Sequence, residues 1–193
     1  PARGDLRRGW LKEAVMKHFD LNNPRTLAIT GVMTALVLGL TMIKIPVPGS
    51  LGYVHPGDIA IYFASFAFGP WVGMIAGGVG TGLADVASGA YAIFAPLSLV
   101  VHGLQGLVAG WIAYGTLKPG RLGLGVLAGG LIVIAGYFAG EALVPVLGGP
   151  AVAVSEVPFN FMQELFGALG AVVYLAVVRA YPRLRQATEQ PPV

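Results

Sequence analysis

The chain of 193 residues contains no cysteine, and charged residues make up only 11% of it. The absence of thiols excludes disulfides and cysteine-based chemistry. Ordinary soluble domains carry about 25% charged residues, whereas here hydrophobic residues reach 55% and the mean hydropathy is +0.74. A soluble protein of this length could not bury so much apolar surface. The composition therefore predicts an integral membrane protein, with the lipid bilayer as its solvent.

Sequence motifs of common enzymes are also missing. No lysine follows a glycine, so the phosphate-binding loop G-x-x-x-x-G-K-[ST] is absent. Neither the zinc motif H-E-x-x-H nor the nucleophile motif G-x-S-x-G occurs, and the three histidines show no zinc-binding spacing. We therefore predict no catalytic residue, no metal site and no cofactor. Uphill transport by this protein would need an external source of energy.

Proline, glycine and polar residues divide the apolar sequence into six predicted membrane spans, which makes the fold all-α. Asn23-Pro24 is a typical helix start, with a capping residue before a proline at the first helical position. Span 2 is short, because its twelve residues rise only about 18 Å through a hydrocarbon core about 30 Å thick. The loop before it, with His55 and Asp58, should dip into the outer half of the membrane like a re-entrant loop. The six predicted spans are residues 26–43, 57–68, 70–88, 95–115, 122–144 and 156–179.

The basic residues predict the orientation of these spans. With the N-terminus in the cytoplasm, eleven of the twelve lysines and arginines fall in cytoplasmic segments, and only Lys44 falls outside. Such a bias is the positive-inside rule, and it explains the pI near 9.4 without a nucleic-acid partner. Both termini are therefore predicted to be cytoplasmic. The predicted domains are a cytoplasmic segment at 1–25, forming either an interfacial helix or a solvated arm, a transmembrane substrate-binding domain at 26–180, and a cytoplasmic tail at 181–193.

Polar residues inside the spans are arranged in stripes. Ionisable side chains are costly in a bilayer and are functional candidates by default. On span 6 the spacing i, i+4, i+7, i+8 places four of them on one helix face: Glu156, Asn160, Gln163 and Glu164. The spacing i, i+4, i+7 recurs in Thr81, Asp85 and Ser88 of span 3 and in Ser98, His102 and Gln105 of span 4.

In the predicted orientation all three stripes lie in the outer part of the membrane, whereas the cytoplasmic half carries almost no polar residue. This pattern favours a blind pocket open to the outside and argues against a channel. A structural network that joins the helices is the alternative for any single residue. The predicted substrate-binding residues are His55, Asp58, Asp85, Tyr91, His102, Gln105, Glu141, Glu156, Asn160, Gln163 and Glu164.

Residues 55–110 carry a specific run of motifs. They are G-D at the start of span 2 (Gly57-Asp58), the F-G-P turn (68–70), G-x-x-x-A-D at the end of span 3 (80–85) and Y-A-I-F-A-P before span 4 (91–96). In this run the chain resembles the S components, which are the substrate-binding subunits of energy-coupling factor (ECF) vitamin transporters. The resemblance is closest to the hydroxymethylpyrimidine, pyridoxine or riboflavin-like branch.

The resemblance implies a fold, a site and partners. It implies six helices, a site in the outer half under the first loop, and a multi-pass protein of the prokaryotic cell membrane. Its partners would be a small vitamin-like substrate, the coupling transmembrane protein and two ATPase subunits. S components contact the coupling protein through A-x-x-x-A on the first helix, and Gly31-x-x-x-Ala35 matches here with glycine at the first position. Gly39 extends this small-residue ladder, which could instead pack within the chain.

The resulting prediction is capture of a small heteroaromatic vitamin or precursor from the outer side for an ATP-driven importer. Hydroxymethylpyrimidine, another thiamine-related compound or pyridoxine ranks first, and riboflavin or a queuosine precursor follows. Two other classes stay open at this point: a small intramembrane enzyme that uses Glu164 and His102, and a secondary transporter that acts alone. Whether the energising module is dedicated or shared is not encoded here.

Overall fold

The computed structural model describes residue 20 and residues 22–181. The predictions for 1–19 and 182–193, including the interfacial helix and most of the tail, lie outside the described residues. The described part contains an antiparallel hairpin of two short strands, β1 (Ile45–Pro46) and β2 (Tyr53–Val54), and two 3-10 turns, Ala92–Phe94 and Pro145–Leu147. Its α-helices are α1 Pro24–Thr41, α2 Gly57–Phe68, α3 Pro70–Ala87, α4 Ala95–Ala113, α5 Pro119–Leu143, α6 Pro150–Gly167 and α7 Leu169–Ala180.

Six spans are confirmed, because α6 and α7 form one apolar segment of 31 residues that is interrupted only at Ala168. The bounds of α2 agree with the prediction, but two other helix starts were wrong. Helix α5 begins at Pro119 and α6 at Pro150, ahead of the predicted starts at 122 and 156, so both prolines were predicted to lie in connecting segments. Proline has no N–H to donate and a φ already suited to a helix, so it favours the first helical position.

Four segments are long and apolar enough to cross a membrane by length and composition. They are Pro24–Thr41, Ala92–Ala113, Pro119–Leu143 and Pro150–Ala180. Helix α2 is apolar but too short. Helix α3 has the length but is rich in glycine and contains Asp85, and α1, α2 and α4 pack around it. Most of its residues are buried against these helices, so α3 needs less hydropathy than a span that is exposed on all sides.

Glycine lets α3 and α4 approach closely. A Cβ placed on Gly78 would lie 2.5 Å from the carbonyl oxygen of Leu99, and one on Gly77 would lie 2.5 Å from that of His102. Small residues at helix crossings allow such contact between backbones. The close crossing brings the polar stripes of the two helices together, and the Thr81 hydroxyl donates to the Ser98 carbonyl at 3.3 Å.

The apolar core and the polar side chains occupy opposite ends of the bundle. One apolar cluster joins the far ends of α2, α4, α5 and α7 through Tyr62, Phe66, Ala67, Ala109, Ala113, Leu122, Tyr174 and Val178. A second joins α1, α2 and α3 through Met33, Val37, Ala60, Ile61, Ala64, Val72 and Ala76. The buried acidic and amide side chains lie toward the hairpin end, which is where a site must be sought.

We expect Gly78→Ala to lower the free energy of unfolding by roughly 1–3 kcal/mol, because the new methyl group overpacks the α3–α4 crossing. Gly123→Ala is the matched control, since a Cβ at this exposed position of α5 meets no atom within 4 Å. The control should be neutral or stabilising by up to about 1 kcal/mol through helix propensity. Thermal unfolding of the detergent-purified variants measures both, and equal melting temperatures would refute the close crossing.

Candidate binding site

A small pocket lies beneath the hairpin, between α4, α5 and α6. Its water-accessible volume is about 10 Å³, which is room for roughly one water molecule. A heterocycle can therefore enter only if the hairpin or the lining side chains move. The lining residues are Gly52, Tyr53, His55, Phe94, Ser98, Tyr137, Glu156, Asn160 and Gln163.

The hairpin is held over the pocket by its own backbone. The N–H of His55 donates to Gln163 Oε1 on α6 at 2.9 Å, and the N–H of Gly57 donates to His55 Nδ1 at 3.1 Å. Gly52 is required for close approach, because a Cβ there would lie 2.5 Å from a carboxylate oxygen of Glu156. The β1–β2 turn includes Gly49 at φ +79°, a conformation that glycine adopts without strain.

Asp85, at the end of α3, is the polar centre of the hairpin contact and is fully buried. The Tyr53 hydroxyl donates to its Oδ1, and the Ser98 hydroxyl on α4 lies 2.6 Å from its Oδ2. Ser98 Oγ also lies 2.7 Å from the Tyr137 hydroxyl on α5. Through Asp85 the hairpin, α3, α4 and α5 meet at one point.

Lys44 supplies the positive charge for this cluster. Its Nζ lies 3.6 Å from Asp85 Oδ1 and 3.6 Å from the centroid of the Tyr53 ring, with Tyr91 at 5.2 Å. Burial lowers the pKa of Lys44, and the attraction of Asp85 opposes that effect. Burial, followed by the hydrogen bond to Asp85, raises the pKa of Tyr53, so the phenol stays a neutral donor. The one basic residue predicted outside the cytoplasm thus has a local partner.

A second polar layer lies deeper in the bundle. Asp58 Oδ1 on α2 lies 3.2 Å from Nδ1 of His102 on α4, and the same nitrogen lies 2.9 Å from Gln105 Oε1. The Gln105 amide donates to both oxygens of Glu164 at 3.1 and 3.2 Å. The Tyr62 hydroxyl donates to Glu164 at 2.5 Å. The chain of contacts joins α2, α4 and α6, and its members touch one another instead of lining the pocket.

His55 connects the two layers. Its ring centroid lies 5.5 Å from that of Tyr53 above and 5.3 Å from that of His102 below. Burial lowers the pKa of His55 to about 3, with neighbouring Asp58 opposing that effect. The imidazole is therefore neutral at pH 7 and brings no positive charge to the pocket.

Glu141 and Glu156 form a carboxyl pair between α5 and α6. Glu141 is 0% exposed and Glu156 is 3% exposed, and the two carboxyl groups are neighbours. Three of their oxygens have no hydrogen-bond partner among the described residues: both oxygens of Glu141 and Oε1 of Glu156.

The structure sorts the eleven predicted site residues by depth. Four line the pocket, namely His55, Glu156, Asn160 and Gln163. Glu141 neighbours Glu156, the Tyr91 ring lies 4.5 Å from that of Tyr53 at an interplanar angle of 55°, and Asp85 anchors the hairpin. The other four are in the deeper layer: Asp58, His102, Gln105 and Glu164. Substrate contact by any of them stays a prediction.

The predicted site residues did not include several residues of this region, although Ser98 belonged to the stripe of span 4. Gly52, Tyr53, Phe94, Ser98 and Tyr137 line the pocket but were not among the predicted site residues. Lys44 was also left out, although a lone cation beside an acid-rich site was a usable signal. Tyr62 could not have been found, because an apolar stretch of α2 gives no sign that its hydroxyl reaches Glu164.

The small-residue ladder of α1 faces away from the bundle. Gly31, Ala35 and Gly39 are exposed, and a Cβ at either glycine would meet no atom within 4 Å. The buried face of α1 consists of Thr30, Met33, Val37 and Thr41. The ladder is thus open to lipid or to a partner helix, and its contact with a coupling protein stays a prediction.

A bundle of apolar spans with a closed polar pocket at one end defines a multi-pass, membrane-embedded binding protein. A family model for the S component of ECF-type riboflavin transporters matches residues 21–180. The chain belongs to this family, and the resemblance stated above is confirmed. S components are transporter subunits and not enzymes, so the general role of the chain is vitamin transport and the intramembrane-enzyme hypothesis is excluded.

Individual relatives agree with this family. A Pyrococcus woesei protein, known only as an uncharacterized protein in a gap 3' region, is 38% identical over 78% of this chain and 99% of its own length. The thiamine precursor transporter HmpT of Lactococcus lactis subsp. cremoris is 36% identical over 65% of this chain and 75% of its own length. A solved S component of a bacterial ECF transporter shares the fold, with a TM-score of 0.54, 20% identity and coverage of 81% and 95% of the two chains.

The Asp85 cluster generates a stability prediction. We expect Asp85→Asn to lower the free energy of unfolding by about 1–3 kcal/mol, because the half-buried Lys44 ammonium then lacks its counter-charge. Amide hydrogen exchange in residues 45–55 should also accelerate, since the hairpin loses its anchor.

A double-mutant cycle identifies the cause. Lys44→Met together with Asp85→Asn should cost less than the sum of the two single changes, because the unpaired charge is removed. Ser155→Ala, on the exposed face of α6, is the control and should change neither readout. Strictly additive effects in the cycle would show that Lys44 and Asp85 are not coupled.

Proposed function

We propose that this chain is the substrate-binding subunit of an ATP-driven ECF importer in the prokaryotic cytoplasmic membrane, and that it captures its substrate from the outer side. The observation that carries the proposal is the position of the pocket. The pocket opens under the hairpin, and the described residues toward the other end of the bundle form an apolar core. Such a site can bind a solute but offers it no polar path through the subunit.

The pocket lining supports a small, flat heteroaromatic substrate. Rings of Tyr53, His55, Phe94 and Tyr137 form one part of the wall, and aromatic faces stack well on a planar ligand. Glu156, Asn160 and Gln163 on α6 provide hydrogen-bonding groups on another part. Aromatic rings beside a small number of placed polar groups are typical of small-molecule sites.

Hydroxymethylpyrimidine, another thiamine-related compound or pyridoxine is the first choice of substrate. The relative HmpT is named as a thiamine precursor transporter, and the small pocket favours a single ring. Riboflavin, after which the family is named, and a queuosine precursor come next, because either would require a larger opening beneath the hairpin.

Energy for uptake would come from a coupling transmembrane protein and two ATPase subunits. The chain contains no phosphate-binding loop, so it cannot hydrolyse ATP by that route. The exposed ladder on α1 is the surface we assign to the coupling protein, since small residues that face lipid gain no packing energy. A secondary transporter acting alone would need a polar path to the cytoplasmic side. The apolar core at that end of the described bundle argues against such a path.

Ligand titrations on the purified subunit test the proposed binding role. Saturable binding of hydroxymethylpyrimidine, pyridoxine, thiamine, riboflavin or a queuosine precursor is expected. None of the hydrogen bonds among the described residues engages the Asn160 side chain, which lines the pocket. Asn160→Ala should therefore weaken binding at least tenfold, or about 1.4 kcal/mol.

Met162→Ala is the matched control, because Met162 lies on the same helix and is 53% exposed on its outer face. The control should bind like the unmodified protein. If no compound of the panel binds saturably, the vitamin-binding proposal fails. If Asn160→Ala binds normally, the α6 stripe has only a structural role at that residue.

A second prediction concerns coupling. Ala35→Trp should block assembly with the coupling module and abolish transport, because a bulky side chain fills the close-approach surface of α1, while the isolated subunit keeps its ligand affinity. Leu127→Trp is the control, since Leu127 is 60% exposed on α5 and should leave both assembly and binding intact. Co-purification with the module and ligand titration on the same samples provide the measurement. Joint loss of folding and binding in Ala35→Trp would indicate that the ladder packs internally.

A further inference from the structure

Two neighbouring buried carboxyl groups beside the pocket have oxygens without a hydrogen-bond donor among the described residues. Glu156 lines the pocket, is 3% exposed, and its Oε1 accepts no hydrogen bond. Behind it, both oxygens of the fully buried Glu141 are also without a partner. An unpaired carboxylate in an apolar interior is costly, and a second carboxylate beside it adds repulsion.

No described residue of the pocket supplies the missing counter-charge. Glu156 is the only formally charged residue in the lining, and His55 is neutral because burial lowers its pKa to about 3. Lys44 is paired with Asp85 and covers the Tyr53 ring instead of entering the lining. The lining therefore carries a formal negative charge and no formal positive charge.

The other buried carboxyl groups of the region each face a side chain that can donate. Glu164, on the same helix as Glu156, receives hydrogen bonds from Tyr62 and Gln105, and Asp85 receives them from Tyr53 and Ser98. Neither oxygen of Asp58 accepts a hydrogen bond, but its Oδ1 lies 3.2 Å from Nδ1 of His102. Buried polar groups without partners are rare in folded proteins. At the pocket wall, the carboxyl oxygens without a partner belong to Glu156 and to Glu141 behind it, and Asn160 lies one turn below Glu156 on that wall.

We propose that Glu156, with Glu141 behind it, binds a cationic or amino-bearing edge of the substrate, and that this pair makes the pocket selective against anionic forms such as phosphate esters. The proposal rests on the proposed function and specifies its substrate class as an amino-substituted or protonated heteroaromatic ring. An amino group beside a ring nitrogen places donors in the ring plane, where a carboxylate can accept them while the aromatic wall stacks on the face. A phosphate group would instead bring negative charge toward two acids.

The alternative is that the two carboxyl groups share one proton and simply join α5 to α6. Isosteric amide substitutions separate the two roles, because Glu→Gln keeps the shape and can keep such a hydrogen bond but removes the negative charge. The probes are hydroxymethylpyrimidine with its amino group, its analogue without the amino group, and its phosphate ester, each titrated against the purified subunit, with pyridoxine and riboflavin as further probes.

The unmodified protein should bind the amino compound at least tenfold more tightly than the analogue and at least a hundredfold more tightly than the phosphate ester. Glu156→Gln should weaken binding of the amino compound at least tenfold and reduce its affinity advantage over both the analogue and the phosphate ester. Glu141→Gln should have the same effects to a smaller extent. Asp20→Asn, which removes an exposed charge before α1, is the control and should change none of these ratios. The melting temperature of the ligand-free protein should be unchanged or higher in both glutamine variants, because a neutral amide does not repel the remaining carboxyl group.

Two outcomes would overturn the inference while the proposed function stands. In the first outcome, a compound of the panel binds saturably, but the compounds with and without the amino group bind equally well, and both glutamine variants keep the affinity of the unmodified protein. The other is a lower melting temperature in the glutamine variants with unchanged ligand ratios, which would assign the pair to joining the helices. If no probe binds the unmodified protein, the proposed function fails and the inference fails with it.

Discussion

The structure depends on one constraint: a bilayer core cannot solvate polar side chains, so buried polar groups must be gathered where other protein groups or a ligand can contact them. Asp58, Asp85 and Glu141 are fully buried in spans or at their ends, and all lie toward the hairpin end of the bundle. Concentrating them there leaves the other end free to form the apolar core of α2, α4, α5 and α7. The same constraint explains why the loop from Lys44 to His55 folds back as a hairpin, since its backbone and side chains satisfy groups on α3 and α6.

Glycine makes this concentration of polar groups sterically possible. Where Gly77 and Gly78 meet α4, the backbones approach closely enough for the stripes on the two helices to form direct hydrogen bonds. As a consequence, α3 has a lower hydropathy and is not among the segments that could cross a membrane by length and composition. That loss is tolerated because α1, α2 and α4 shield it from lipid. Close packing and low hydropathy are thus two results of the same residues.

Much of the fold could be predicted from the sequence, because helix length and hydropathy are local properties. The bounds of α2 followed from the Gly57-Asp58 and Gly69-Pro70 signals, whereas Pro119 and Pro150 were taken for loop residues although both begin helices. Helical spacing also predicted which polar residues share a face and a depth. It could not predict which of them line the pocket, because Asn160 and Glu164 share one stripe but differ in what the neighbouring helices place opposite them. Tyr62 reaches Glu164 from α2, a contact that depends on the packing of two helices more than a hundred residues apart along the chain.

That difference between neighbours on one stripe suggests how such sites divide their polar residues. Side chains whose hydrogen-bonding capacity is used within the protein, such as Glu164 and Asp85, fix the positions of helices and of the hairpin, and low-dielectric surroundings make these contacts strong. Other side chains at the pocket wall, such as Glu156, have acceptor oxygens that receive no hydrogen bond from any described residue. A bound ligand can supply the missing donor. A deeper layer of side chains in mutual contact beneath a wall with unused acceptors favours preorganised binding, because part of the ordering of the site is achieved before the ligand arrives. Its specificity then follows from the sign and type of the unmet groups, which here are acceptors carrying negative charge.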